Sequence, residues 1–179
     1  MPEQPSFLDF EASSLSHNSY PIEAAWTQPD GHVESHLISP RTVPGWTDWS
    51  EASQLVHRIS REELLAAGKT PSWVCERMNQ QLDGRIVFTD SVRYDGFWLS
   101  RLFAAAGRKT QFSLASSQDL IVERLSPGMR GRARALSRLA ELELIARTRV
   151  PGQHRAAWDA QYLYELWKLA DHEAHTYCK

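Results

Sequence analysis

No stretch of this 179-residue sequence approaches the ~20 consecutive apolar residues that a membrane-spanning helix needs. The first residues, Met1 to Ser6, lack a basic start followed by an apolar run. No secretory signal is read there, and a cytoplasmic location is expected. Cysteine is scarce. Cys75 and Cys178 are the only two, too far apart for a disulfide framework or a zinc-ligand spacing, so both are read as free thiols of a reducing compartment. The net charge is only −2, which gives no overall attraction to phosphates or to an anionic surface.

The composition that remains is that of an ordinary globular protein: 42% hydrophobic and 23% charged residues. Residues 1–179 are read as a single domain with a sizeable core and no interdomain linker. The charge is unevenly spread. Residues 1–100 hold 7 Lys/Arg against 14 Asp/Glu, whereas residues 101–155 hold 11 against 4. That middle block is either a basic face for phosphates or a solvated helix surface, and the charge run alone favours the second.

The apolar pattern predicts three strands first, over Ser6 to Glu11, Tyr20 to Thr27 and Val33 to Ile38. Gln28-Pro29-Asp30-Gly31 is a turn between the second and third, because Pro pre-sets its backbone angle and Gly accepts positive φ. Ser60 and Glu63 form a capping box for a helix stopping at Gly68, and Thr70-Pro71 opens another. Arg85 to Thr89 reads as a buried strand, Tyr94 to Ala106 as a helix and Lys109 to Ala115 as a last strand. Helices over Arg130 to Ala146 and from Ala156 to about His172 follow. An antiparallel meander plus two further strands, alternating with helices, gives an α/β fold with a mixed five-stranded sheet flanked by helices.

Four carboxylates stand out. Asp9 and Glu11 lie two apart on the first strand and so point to one face, between apolar neighbours. Inward-facing carboxylates are costly unless a cation joins them, and a divalent metal is the natural partner. Asp95 opens a helix just after a buried strand, and Asp159 lies in the first turns of the last helix, five residues after His154. Each has a bland alternative: a surface acid, or an acid complementing a helix N-terminus. Their order and context together carry the argument.

With these residues the chain resembles the His-containing branch of the DEDD 3′→5′ exonucleases, the DnaQ-like group. The first motif is Phe7-Leu8-Asp9-Phe10-Glu11-Ala12-Ser13-Ser14-Leu15, the second Tyr94-Asp95-Gly96-Phe97-Trp98-Leu99, and the third His154-Arg155-Ala156-Ala157-Trp158-Asp159-Ala160. Val56-His57-Arg58-Ile59-Ser60-Arg61-Glu62-Glu63-Leu64 is similar to the family's segment between the first two. Where the family carries His-Asn-Ala, this chain has Asp90-Ser91-Val92-Arg93, and Asp90 rivals Asp95 as the second-motif acid. Asp95 is preferred because the residues after it continue as the family's helix does.

The resemblance implies a ribonuclease H-like fold and a metal-dependent 3′→5′ exonuclease. Asp9, Glu11, Asp95 and Asp159 would bind two ions, Mg²⁺ or Mn²⁺, with His154 as general base and 5′-mononucleotides as product. Ser13 would bond the 3′ end, Leu15 would wedge against the terminal base, and Arg93 and Arg155 would contact phosphates. The partner would be the 3′ end of single-stranded DNA or RNA, with no membrane, and a homodimer by analogy with related small exonucleases. Trp26, Trp46 and Trp49 are read as core or loop anchors rather than stacking platforms. The alternative function, motivated by the altered second motif, is a catalytically weakened nucleic-acid-binding or polymerase-associated module on the same fold.

Overall fold

Ser6–Ala12, the strand β1, lies at the centre of a five-stranded sheet. The structure, a computed structural model, describes residues 4–129, 131–152 and 154–177. Strands β2 (Pro21–Thr27), β3 (Val33–Leu37), β4 (Ile86–Thr89) and β5 (Ser113–Ser116) complete the order β3-β2-β1-β4-β5. β1 runs antiparallel to β2 and parallel to β4, and β4 runs parallel to β5. The expected mixed sheet is therefore present, with its meander on one side and its parallel strands on the other. The predicted turn closes as its residues dictate: Gly31 adopts φ +84 and donates its N–H to the Gln28 carbonyl at 2.8 Å.

The helices are α1 (Glu51–His57), α2 (Arg61–Ala67), α3 (Pro71–Leu82), α4 (Val92–Ala106), α5 (Ser117–Met129), α6 (Arg132–Arg149) and α7 (Ala156–Tyr177). The serine half of the capping box forms, since the Ser60 hydroxyl accepts from the Glu63 N–H at 3.1 Å. Two helices, α1 and α5, were not expected. α1 is short and buries only His57, so it leaves no apolar period to read. α5 carries Pro127 and Gly128, a breaker pair that sits inside its last turns. The expected helix start at Arg130 falls outside the described residues, as does Cys178. Cys75 is a buried free thiol.

Side-chain alternation along β1 builds two different faces. Leu8, Phe10 and Ala12 enter the main core with Ile22, Ala24 and Trp26 of β2 and residues of α3 and α4. Phe7 packs on the other face against Leu163 and Tyr164 of α7. Asp9 and Glu11 share that second face with Phe7, so both carboxylates point toward α7. That helix lies across β1 and β2 through Ala156 and Ala160, small residues that allow close approach to Ala25. α5, α6 and α7 form a layer with its own core of Ile121, Leu125, Leu139, Leu142 and Leu166. The basic block falls largely in this layer, and its guanidinium groups are mostly spent on ion pairs: Arg124–Asp171 at 2.7 Å, Arg132–Asp119 at 2.6 Å, Arg138–Glu173 at 2.8 Å and Arg149–Glu165 at 2.7 Å. No helix among the described residues is long and apolar enough to cross a membrane.

Candidate active site

β1 and β4 stay in register only as far as Phe7 and Phe88, and beyond that point the two strands part. The residues that follow, Asp9 and Glu11 on β1 and Asp90 just after β4, stand in the opening. A crevice beyond the carboxyl ends of parallel strands, next to the strand where chain direction reverses across the sheet, is where open α/β sheets offer a ligand site. α4 brings Asp95 to it from its first turn, and α7 brings Asp159 from its first turn.

The carboxylates gather into two groups. Oxygen atoms of Asp9, Asp90 and Asp95 lie within 4.8 Å of one another, and so do those of Asp9, Glu11 and Asp159. Asp9 belongs to both. Asp95 is buried, accepts a hydrogen bond from the Thr89 hydroxyl, and is further held by the backbone N–H groups of Phe10 and Ser91. Thr89 is itself placed by the Ser91 N–H at 3.2 Å. The rivalry between Asp90 and Asp95 thus has a structural form: both reach Asp9, Asp95 from a buried anchored position and Asp90 from an exposed rim.

Among the described residues no cationic side chain joins either carboxylate group, and its members bear the electrostatic consequence. Burial first, then the charges of Asp95, Asp159, Glu11 and Asp90, hold the Asp9 carboxyl well above the usual carboxylate range. Burial and the neighbouring Asp159 and Glu23 push Glu11 to about 8. Burial raises Asp95 to about 7, although Thr89 pulls it back. Burial raises Asp159 and Asp90 too, and the charge of Asp90 adds to the rise at Asp159. Five oxygen-donor groups converging without an internal counter-charge match hard divalent cations, which take carboxylates and keep waters. The donor set fits such ions.

His154 stands beside Asp159, and its charge pulls that carboxyl downward. It is exposed and holds φ +57, in the left-handed region that residues other than glycine rarely enter. The chain approaches it through Gly152, where a side chain would overlap the Trp158 ring. Leu15 is 74% exposed on the loop after β1. Ser13 is fully buried, its hydroxyl donating to Asp48 at 3.1 Å and accepting from the Tyr20 N–H at 3.1 Å. Ser14 and Ser16 donate to the same Asp48 carboxylate, so the loop presenting Leu15 is fixed by three hydroxyls on one acid. Arg93 is exposed, lying over the Tyr94 ring at 5.7 Å.

Arg155 is turned inward. Its guanidinium grips Glu23 of β2 with two bonds, at 3.0 and 2.9 Å. Glu23 is buried, also accepts from Ser35 and from the Ala156 N–H at 3.1 Å, and lies opposite Glu11 across the β1–β2 pair. An anion on the first N–H of α7 complements the helix end, and the bidentate pair fixes the segment carrying His154 and Asp159 beside Glu11. Glu23 was not singled out in the sequence, although a lone acid in the apolar strand Pro21–Thr27 was the available signal. Arg147 of α6 was also missed: it lies over the Tyr162 ring at 4.9 Å, and its charge reaches Asp90.

The fold that carries these residues has known counterparts. The structure superposes on Escherichia coli exonuclease I in complex with a dA16 oligonucleotide with a TM-score of 0.64, at 16% identity, over 97% of this chain and 43% of that one. The shared fold is the mixed five-stranded sheet flanked by helices. A zinc-bound form of the Escherichia coli exonuclease I–single-stranded DNA complex matches with a TM-score of 0.57 at 16% identity, over 94% of this chain and 40% of that one. Exonuclease I from Methylocaldum szegediense matches with a TM-score of 0.53 at 17% identity, over 70% and 29%. The chain thus spans less than half the length of these proteins. No family model matches the sequence, and no curated protein matches it either.

Proposed function

We propose that this chain is a 3′→5′ exonuclease that hydrolyses the last phosphodiester bond at the 3′ end of single-stranded DNA or RNA and releases 5′-mononucleotides. The observation that carries the reading is the pair of carboxylate triads sharing Asp9. Asp9 with Asp90 and Asp95 would hold one divalent ion of the Mg²⁺ or Mn²⁺ class, and Asp9 with Glu11 and Asp159 a second. When bound, such a pair lowers the pKa of a coordinated water and clamps the attacking and leaving oxygens of an in-line displacement.

The chain's own residues do the rest. His154, exposed beside Asp159, takes the proton of the attacking water, a task suited to an imidazole. Glu23 and Arg155 keep that histidine segment seated on the sheet. Leu15 meets the terminal base from its serine-braced loop, and Arg93 offers charge to the backbone. The fold neighbours in complex with single-stranded DNA, one of them holding zinc, support both the polymer and the metal.

The test is direct. The purified chain is incubated with 5′-labelled single-stranded DNA and RNA oligomers in Mg²⁺, in Mn²⁺ and in EDTA, beside the Asp9→Ala and His154→Ala variants. A ladder shortening from the 3′ end, abolished by EDTA and by Asp9→Ala, is expected. Intact oligomers under both metals would overturn the reading.

A further inference from the structure

The outward face of α4 carries exposed aromatic side chains beside arginines. Its inward face is conventional: Trp98, Leu99, Leu102 and Phe103 enter the core, and Asp95 enters the carboxylate cluster. The opposite face should be polar. Instead it carries Tyr94 and Phe97, 42% and 37% exposed, between Arg93 and Arg101. Arg93, Phe97 and Arg101 follow one another at four-residue intervals and so form one ridge, with Tyr94 beside it.

The two arginines are held differently from most others. Arg77, Arg124, Arg138, Arg149 and Arg155 each lie on a carboxylate. Among the described residues Arg93 and Arg101 have no carboxylate partner, and they lie over Tyr94 at 5.7 Å and Phe97 at 5.5 Å. Their positive charge is therefore unspent.

The ridge starts at the end of α4 that carries Asp95. Arg93 and Tyr94 stand in the same helical turn as Asp95. At the other end Arg101 donates to the His17 carbonyl at 3.0 Å, and Trp98 donates to the Ser19 hydroxyl at 3.0 Å, which fastens α4 to the loop that projects Leu15. From Arg93 to Arg101 the helix advances about 12 Å, enough for a few stacked bases.

We propose that this ridge is a track for single-stranded nucleic acid, with Tyr94 and Phe97 stacking on bases and Arg93 and Arg101 meeting phosphates upstream of the terminal nucleotide. Alternating cation and aromatic side chains are the chemistry that such a strand recognises, sequence-tolerant because every base has a flat face and every linkage a charge. The proposal rests on the nuclease reading, which supplies the anchored 3′ end from which the strand runs.

Anisotropy of labelled dT12 and rU12 in EDTA, with dT2 as a short competitor, measures the track without hydrolysis. Phe97→Ala is expected to weaken 12-mer binding about 5- to 100-fold. Arg93→Gln should lower the slope of log affinity against log salt by about 0.7. Trp73→Ala, an exposed aromatic under Lys69 on α3, should bind as the wild type does. All three positions are exposed, and melting curves confirm that each variant is folded. Failure of the wild type to bind 12-mers, wild-type affinity in both ridge variants, or an equal loss in Trp73→Ala would each overturn the track. Length-dependent binding that the ridge variants lose, in a chain that leaves oligomers intact in Mg²⁺ and Mn²⁺, would sink the nuclease reading and keep the track.

Discussion

The single carboxylate of Asp9 carries opposite consequences for stability and for function. It faces four other acids with no internal cation, so its charged form strains the folded state. The sign of the pH dependence follows. Glu11 at about 8 and Asp95 at about 7 both titrate above their unfolded values, so the folded protein holds more protons than the unfolded one between those limits. Without metal, the contribution of these two groups is full below about pH 4.5 and is lost as pH rises through 7 and 8. Melting temperature in EDTA should therefore decline from pH 5 to pH 8, and Mn²⁺ should restore it most at pH 8, where protons compete least. Asp9→Asn should melt higher than the wild type in EDTA at pH 8, by ~2–4 °C for each kcal/mol of repulsion removed. The same variant should lose nearly all oligonucleotide shortening and gain little from Mn²⁺. A variant no more stable than the wild type in EDTA would show that the cluster is not strained. Glu23 is the contrasting acid, fully satisfied by Arg155, Ser35 and Ala156. Removing its charge in Glu23→Gln leaves Arg155 without its partner, a loss expected to cost about 3 kcal/mol in urea unfolding. Asp9 and Glu11 could be singled out because a two-residue period sets both on one face of a strand and because Asp95, His154 and Asp159 follow in order; the pair alone would read as surface acids. Glu23 was less legible, because an acid in a strand declares its partner only after Arg155 has been brought to it from 132 residues away.

At the scale of elements, the segment entering α7 decides whether the histidine is usable. His154 holds a left-handed backbone, and residues of this kind persist only where their surroundings over-determine them. The surroundings are the Trp158 ring against Gly152 on one side and the Glu23–Arg155 clamp on the other. A methyl group at Gly152 must displace the indole or the loop. Gly152→Ala is therefore expected to lower kcat by at least ten-fold, a barrier of about 1.4 kcal/mol, through a displaced His154. The carboxylates come from β1, the residue after β4, α4 and the first turn of α7, all held by the sheet and helices rather than by the loop at Gly152, so the gain in melting temperature on adding Mn²⁺ should survive. Loss of that gain together with kcat would place the damage in the metal cluster instead. The strands, the capping box of α2 and the turn at Gly31 could be read from local chemistry. α1 and α5 could not: one is too polar to show a face, and the other carries Pro127 inside its last turns, where a proline reads as a break. The sequence offered Asp90 and Asp95 as rivals for one role, and it could not show that both reach Asp9, because that depends on where β4 and α4 sit against β1.

For the whole molecule, the question is where the positive charge goes. The sequence concentrates it in residues 101–155, and a basic face for phosphates was one of its two readings. Folding puts most of it to internal use. Arg138 binds both oxygens of Glu173 and also reaches Glu141, joining α6 to α7. Arg124 and Arg149 make two further ties from α5 and α6 to α7. Helix α7 in turn carries Asp159 and follows directly on His154, so the ion pairs brace the layer that supports one half of the site. Charge spent in this way contributes stability and little attraction. Arg138→Ala should accordingly lower the melting temperature by a few degrees, on the order of 1 kcal/mol for a partly exposed pair, and more at low salt than at high. The salt slope of oligonucleotide affinity should remain that of the wild type, because no counterion on the nucleic acid is released by a guanidinium already held by two carboxylates. Measuring both quantities on the same variant separates the two readings of the basic block: a flat melting curve with a reduced salt slope would assign Arg138 to phosphate, whereas the opposite pair of results assigns it to the brace.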